Sequence, residues 1–167
     1  GFVDEHEDFA AALASMLAHP SVDRSRVVIF GHSLGATHAP ALAARFPEVR
    51  GLAVYGGGIA PWTDYLDVNG RRQMRLAGIE GDNLEALAAL RRRFFHAVLV
   101  EGEDPRALLA HDSELSRAKE WLGVDAQGRI EGRDARYWRE VNSVPAERWL
   151  AATRVPVLSI WRAEDAV

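Results

Sequence analysis

Cysteine is absent from this chain. That removes disulfides, thiolate metal sites and cysteine nucleophiles together. No apolar run reaches the ~18–20 residues that a helix needs to cross a bilayer. Positive charge is not in excess: 20 Lys and Arg stand against 24 Asp and Glu, a net charge of −4. Nucleic acid is therefore not an expected partner. No His-x-x-x-His pair stands near an acid, and Gly56-Gly57-Gly58 lacks the lysine and the helix of a phosphate loop. Neither a metal nor another cofactor is expected. No signal peptide is visible, which with the missing cysteine gives a cytoplasmic expectation.

What is present suits a folded domain. The 167 residues are 48% hydrophobic, enough apolar material for a core. The chain opens on Gly1 rather than Met and stops at Asp165-Ala166-Val167 just after an apolar run. Both ends read as cuts within a longer protein.

Val3 to Ala18 has the apolar spacing of an amphipathic helix, through Phe9, Ala10, Leu13, Met16 and Leu17. Acidic residues crowd its first turns, where the helix dipole favours them. His19-Pro20 ends it. Val27-Val28-Ile29-Phe30 reads as a fully buried strand of the parallel-sheet kind. Gly31 to Gly35 is a turn, Ala36 to Phe46 a helix closed by Pro47, and Gly51 to Tyr55 a second buried strand. This alternation predicts an α/β fold with a parallel sheet. The character changes at Trp62, where most of the charged residues begin. Leu84 to Val100 and Pro105 to Leu122 read as helices, and Tyr137 to Leu150 as one or two more. Val155 to Trp161 returns to a buried-strand pattern. The predicted domains are a core part over 1–61, a helical insert over 62–154, and a return strand over 155–167.

Gly31-His32-Ser33-Leu34-Gly35 fits G-x-S-x-G, between a strand and a helix as that motif requires. A sharp turn there lifts the Ser33 hydroxyl above the C-terminal edge of the sheet, where open α/β sheets bind ligands. Strand and helix approach closely, so side chains at Gly31 and at Gly35 are both expected to clash. The Leu34 backbone N–H, at the helix start, is placed to stabilise an oxyanion. The plainer alternative is an ordinary glycine-bounded turn.

With the preceding helix, this turn, the Ala-rich helix ending in Arg45-Phe46-Pro47 and the Gly-rich strand end, the chain resembles the α/β-hydrolase family over Val3–Gly58 and again over Val155–Val167. The resemblance implies a partial parallel-sheet hydrolase core with the insert in the place of a cap or lid. It implies a serine esterase or peptidase-like enzyme, with Ser33 as nucleophile and an acid just past the last strand. Asp165 matches that position; Glu164 is a second candidate, weakened like the first by Arg162 where the family commonly has glycine. Asp64 or Asp67 would serve if the acid followed the preceding strand instead.

No histidine follows Asp165. The resemblance therefore places the general base outside these residues and predicts that the isolated chain is poorly active. Carboxylic ester is the expected substrate bond, with amide, peptide or thioester open. A catalytically inactive interaction module is the alternative. His32 neighbours the nucleophile, and Trp62 and Tyr65 directly follow the strand end, so these three are candidate pocket residues. His38 reads as a packed core residue, and Arg91-Arg92-Arg93 as a solvated helix face. The expected partner is a small acyl substrate. Oligomeric state is left open. Three strands would not complete the family's sheet, and exposed sheet edges and apolar faces are expected.

Overall fold

The computed structural model describes residues 1–57 and 60–160. The chain divides into two compact units: residues 2–60 with 145–160, and Pro61–Val144.

The first unit holds the sheet. Helix α1, Phe2–Ala18, carries Asp4 and Glu5 in its first turn. Arg24 Nε donates to the Leu17 carbonyl at 2.8 Å and so satisfies one acceptor at the helix end. A 3-10 turn, Arg24–Arg26, is capped by Asp23, whose carboxylate accepts from Ser25 N–H. Strand β1, Val27–His32, leads into helix α2, Leu34–Arg45, then strand β2, Val49–Tyr55. Strand β3 is Val157–Ile160. The three strands are parallel in the order β1-β2-β3, so the α/β expectation is met. Ile29 pairs with Leu52, Gly31 with Val54 and His32 with Tyr55.

One apolar cluster joins Ala10, Leu13 and Leu17 of α1 to Ala39 and Leu42 of α2 and to Val27, Val49 and Leu52 of the sheet. Burying each larger aliphatic side chain contributes about 1.5–3 kcal/mol. The alternation along β1 corrects the sequence reading. Val27 is buried, whereas Val28 and Phe30 are each 62% exposed. Every residue of β3 is exposed as well. A continuous apolar run predicts burial on both faces, but α1 and α2 pack on the face that carries Val27. The bare apolar face expected for a three-stranded sheet is present.

The second unit is helical. It comprises α3, Trp62–Leu76; α4, Gly81–His96; a π-helical turn, Ala97–Glu101; α5, Pro105–His111; α6, Ser113–Arg117; α7, Lys119–Leu122; and α8, Ala135–Asn142. Side chains start several of these. Asp104, Asp112 and Asp134 each accept backbone N–H groups at the heads of α5, α6 and α8. The stretch read as one helix from Pro105 to Leu122 is split because Asp112 caps a new helix instead of continuing the old one. Arg139 donates to the carbonyls of Val98 and Glu103 at 2.8 and 3.0 Å, which satisfies acceptors around the π turn. Trp138 Nε1 donates to the Ile130 carbonyl at 2.7 Å.

The unit ends at Val144, not near 154. Pro145 interrupts the run, and α9, Ala146–Ala152, belongs with α2 in the sheet unit.

Candidate active site

Ser33 stands between β1 and α2 with φ 55° and ψ −125°. L-residues rarely adopt such a conformation, and it costs about 1–3 kcal/mol. The surroundings hold it there. Ser33 N–H donates to the Tyr55 carbonyl at 3.0 Å, continuing the β1–β2 ladder into the turn. Its own carbonyl accepts from Ala36 N–H at 2.9 Å. The side chain makes no capping bond and is exposed, which leaves the hydroxyl available. Leu34 is the first residue of α2, so its N–H is one of the donors a helix leaves unused.

Gly31 has a clear steric reason. A Cβ there would lie 2.5 Å from the Gly35 carbonyl oxygen and 2.9 Å from Ala36 Cα. Gly35 differs from the expectation: a Cβ there would meet nothing within 4 Å. The close approach is one-sided, with strand backbone crowded against helix backbone only at Gly31. At this turn the second glycine of steric consequence is Gly57, in the Gly-rich run that follows β2. A Cβ on Gly57 would collide with Ala36 Cβ and sit 3.3 Å from the Ser33 carbonyl oxygen. The chain leaving β2 thus passes directly over the turn. The cue in the sequence was the glycine run after β2, but its partner lies 21 residues earlier.

The histidines of this unit are engaged elsewhere. The His32 ring stacks on Tyr55, centroids 5.2 Å apart. His38 is buried on α2 with its Nδ1 3.1 Å from His6 Nδ1 and its ring stacked on Phe2. Burial, reinforced by His6, pushes the His38 pKa down to about 4.

The remaining candidates lie apart in the chain. Trp62 and Tyr65 stack on each other in the helical unit at 4.4 Å, and Trp138 stacks on Trp62 at 5.3 Å. Burial raises the Tyr65 pKa. Asp67 in the same unit is bound by Arg71 and Arg92. Asp165 and Glu164 lie outside the described residues. Among the described residues no group of three His, Asp or Glu is placed to hold a metal, and no helix is long and apolar enough to cross a membrane.

A strained serine between a parallel strand and a helix, with an unused N–H beside it, is the architecture of the α/β-hydrolase superfamily. Within that superfamily, the family model of the prolyl oligopeptidase family matches residues 3–114, about two thirds of the chain, and the chain belongs to that family. It is a serine hydrolase family in general terms. The match runs past the strand–turn–helix segment into the helical unit, where the residues themselves carried no resemblance. A comparison with the curated proteins finds no match.

Proposed function

We propose that Ser33 is the nucleophile of a serine hydrolase that cleaves an acyl bond, peptide or carboxylic ester, through an acyl-enzyme. The observation that carries this reading is the exposed Ser33 hydroxyl, free of capping bonds on a strained turn at the head of α2. In this reading Ser33 Oγ attacks the carbonyl carbon while a histidine takes its proton. The Leu34 N–H donates to the oxyanion that forms. The tetrahedral species collapses, and the departing alcohol or amine leaves with that proton. Water then releases the acid and regenerates the serine. Among acyl bonds, membership of an oligopeptidase family favours a peptide bond, with the ester expected from sequence as the second choice.

The base is proposed to be a histidine beyond these 167 residues. His32 is turned onto Tyr55, and His38 is buried against His6. Asp165 is the proposed acid that orients that histidine. These same histidine positions favour one other reading, an inactive interaction module that keeps the turn without the chemistry.

A fluorophosphonate probe on the full-length protein, with Ser33→Ala as control, separates the two. Labelling that disappears in the variant supports the nucleophile. A folded protein that does not label, or that labels equally without Ser33, overturns it.

A further inference from the structure

Residues 32 and 33, where β1 runs into the turn, are both tied to residue 55 of β2. His32 is the register partner of Tyr55, and their rings stack with centroids 5.2 Å apart and planes 17° apart. One residue further on, the Ser33 N–H donates to the Tyr55 carbonyl at 3.0 Å. One tie is a side-chain contact and the other a backbone bond, and they act at successive residues. The chain leaves room for the stack directly afterwards. Gly56 turns away with φ 58°, and a Cβ there would lie 3.8 Å from His32 Cδ2 and Nε2.

Ser33 needs such ties. Its φ of 55° and ψ of −125° lie outside the regions that L-residues ordinarily occupy. A conformation of that kind persists only where its surroundings over-determine it. On the helix side, the Ser33 carbonyl accepts from Ala36 N–H at 2.9 Å. On the strand side, the backbone bond to Tyr55 lies one step beyond the last register pair of β1 and β2. A bond at the end of a ladder opens more readily than one inside it. The stacked rings sit on the last pair and restrain the strand ends beside that bond. Cross-strand ring pairs stabilise a sheet in this way, and they attract beyond the area they bury. His32 is exposed and meets Tyr55 through the face of its ring, so the contact does not depend on either ring nitrogen.

We propose that His32 is a positioning residue for the nucleophile. By stacking on Tyr55 it holds the end of β1 against β2, which keeps the Ser33 N–H on the Tyr55 carbonyl and the Ser33 hydroxyl in its attacking position. The inference rests on Ser33 being the nucleophile. In this role His32 takes no proton and touches no substrate, in contrast to the pocket residue expected from its place beside Ser33. A flat ring without nitrogens would serve at position 32, whereas a small side chain would not.

His32→Ala, Tyr55→Leu and His32→Phe in the full-length protein test this, with far-UV circular dichroism to confirm that each is folded. Hydrogen exchange at the Ser33 amide reads the turn without any chemistry. His32→Ala and Tyr55→Leu should speed it about three- to tenfold, the effect of losing a ring pair. Fluorophosphonate labelling of Ser33 reads the consequence. The same two variants should slow the limiting inactivation rate about tenfold and leave the half-saturating probe concentration unchanged, because the hydroxyl is displaced while probe binding is not. His32→Phe should rescue both readouts and keep the wild-type pH profile of labelling. A His32→Phe as impaired as His32→Ala would make a ring nitrogen the active group and overturn the proposal. A folded His32→Ala with wild-type exchange at Ser33 would overturn it as well. If the exchange rates change as expected but the wild type never labels, the nucleophile reading alone is refuted and the hold of the stack on the turn stands.

Discussion

Acidification from about pH 7 to pH 4 should loosen the packing of α1 against α2, and the loss should trace to His38. The side chain is 2% exposed. Phe2 stacks on it at 4.1 Å, Phe9 meets it edge-on at 5.0 Å, and His6 holds its Nδ1. Its Nε2 is buried with no partner. A proton there would be a buried donor with nothing to accept it. Burial first, and the nearby His6 second, bring the pKa to about 4, against a weaker upward pull from Glu5. His6 is also lowered by burial, with Glu7 pulling up and Arg45 pushing down. The unfolded chain takes up its proton near the ordinary value of 6.5. Between about 6.5 and about 4, the unfolded state binds a proton that the folded state refuses. Stability is therefore complete above the upper value and falls as pH drops toward the lower one. Each pH unit is worth about 1.4 kcal/mol, so the whole interval is worth about 3 kcal/mol. The carboxylates of Asp23, Glu85, Asp112 and Asp125 are held below their ordinary values by hydrogen bonds and arginines, so their losses come at lower pH. Urea unfolding followed by circular dichroism, in steps from about pH 7 to pH 4.5, should show the wild type losing stability that His38→Phe and His38→Gln keep. If wild type and both variants fall in parallel, the buried histidine is not the acid-sensitive group and this account of the packing is wrong.

Gly31→Ala should cost more than about 3 kcal/mol, because its Cβ meets backbone that has no room to yield. Gly35→Ala should instead stabilise by about 0.5–1 kcal/mol, since the space is open and alanine favours a helix; paired thermal melts read both. Ser33→Gly and Ser33→Ala should lose probe labelling alike, but the glycine variant should be more stable by about 1–2 kcal/mol because it relieves the φ of 55°. Equal melting of the two would mean that the turn is not strained. Trp138→Phe should cost about 1–2 kcal/mol in chemical denaturation through the lost bond to the Ile130 carbonyl, and an unchanged midpoint would show that bond to be idle.

The parts that could be read in advance are those whose causes lie close in the chain. The clash that demands glycine at position 31 is with the backbone of residues 35 and 36, within one turn, and a five-residue motif expresses it. The same holds for α1, whose apolar spacing and closing proline are local, and for the parallel strands flanking α2. The missed features have distant causes. Helix α3 contains Asn69 and Gly70 at its middle, residues that argue against a helix; Gly70 is there because the Arg91 guanidinium from α4 occupies the place of a side chain. Gly57 answers to Ala36 in the same way. The arginine run from 91 to 93 reads as a uniform solvated face, yet Arg92 and Arg93 meet carboxylates while Arg91 packs between Gly70 and the Phe95 ring. Neighbouring residues of one type thus take different roles according to what the other helices bring against them. Apolar runs carry the same ambiguity in reverse: β1 is continuous in hydrophobicity, but only the packing of α1 and α2 decides that Val27 is covered and Val28 is not. A steric reason confined to one turn leaves a motif, whereas a reason supplied by a distant element leaves only a residue that looks out of place.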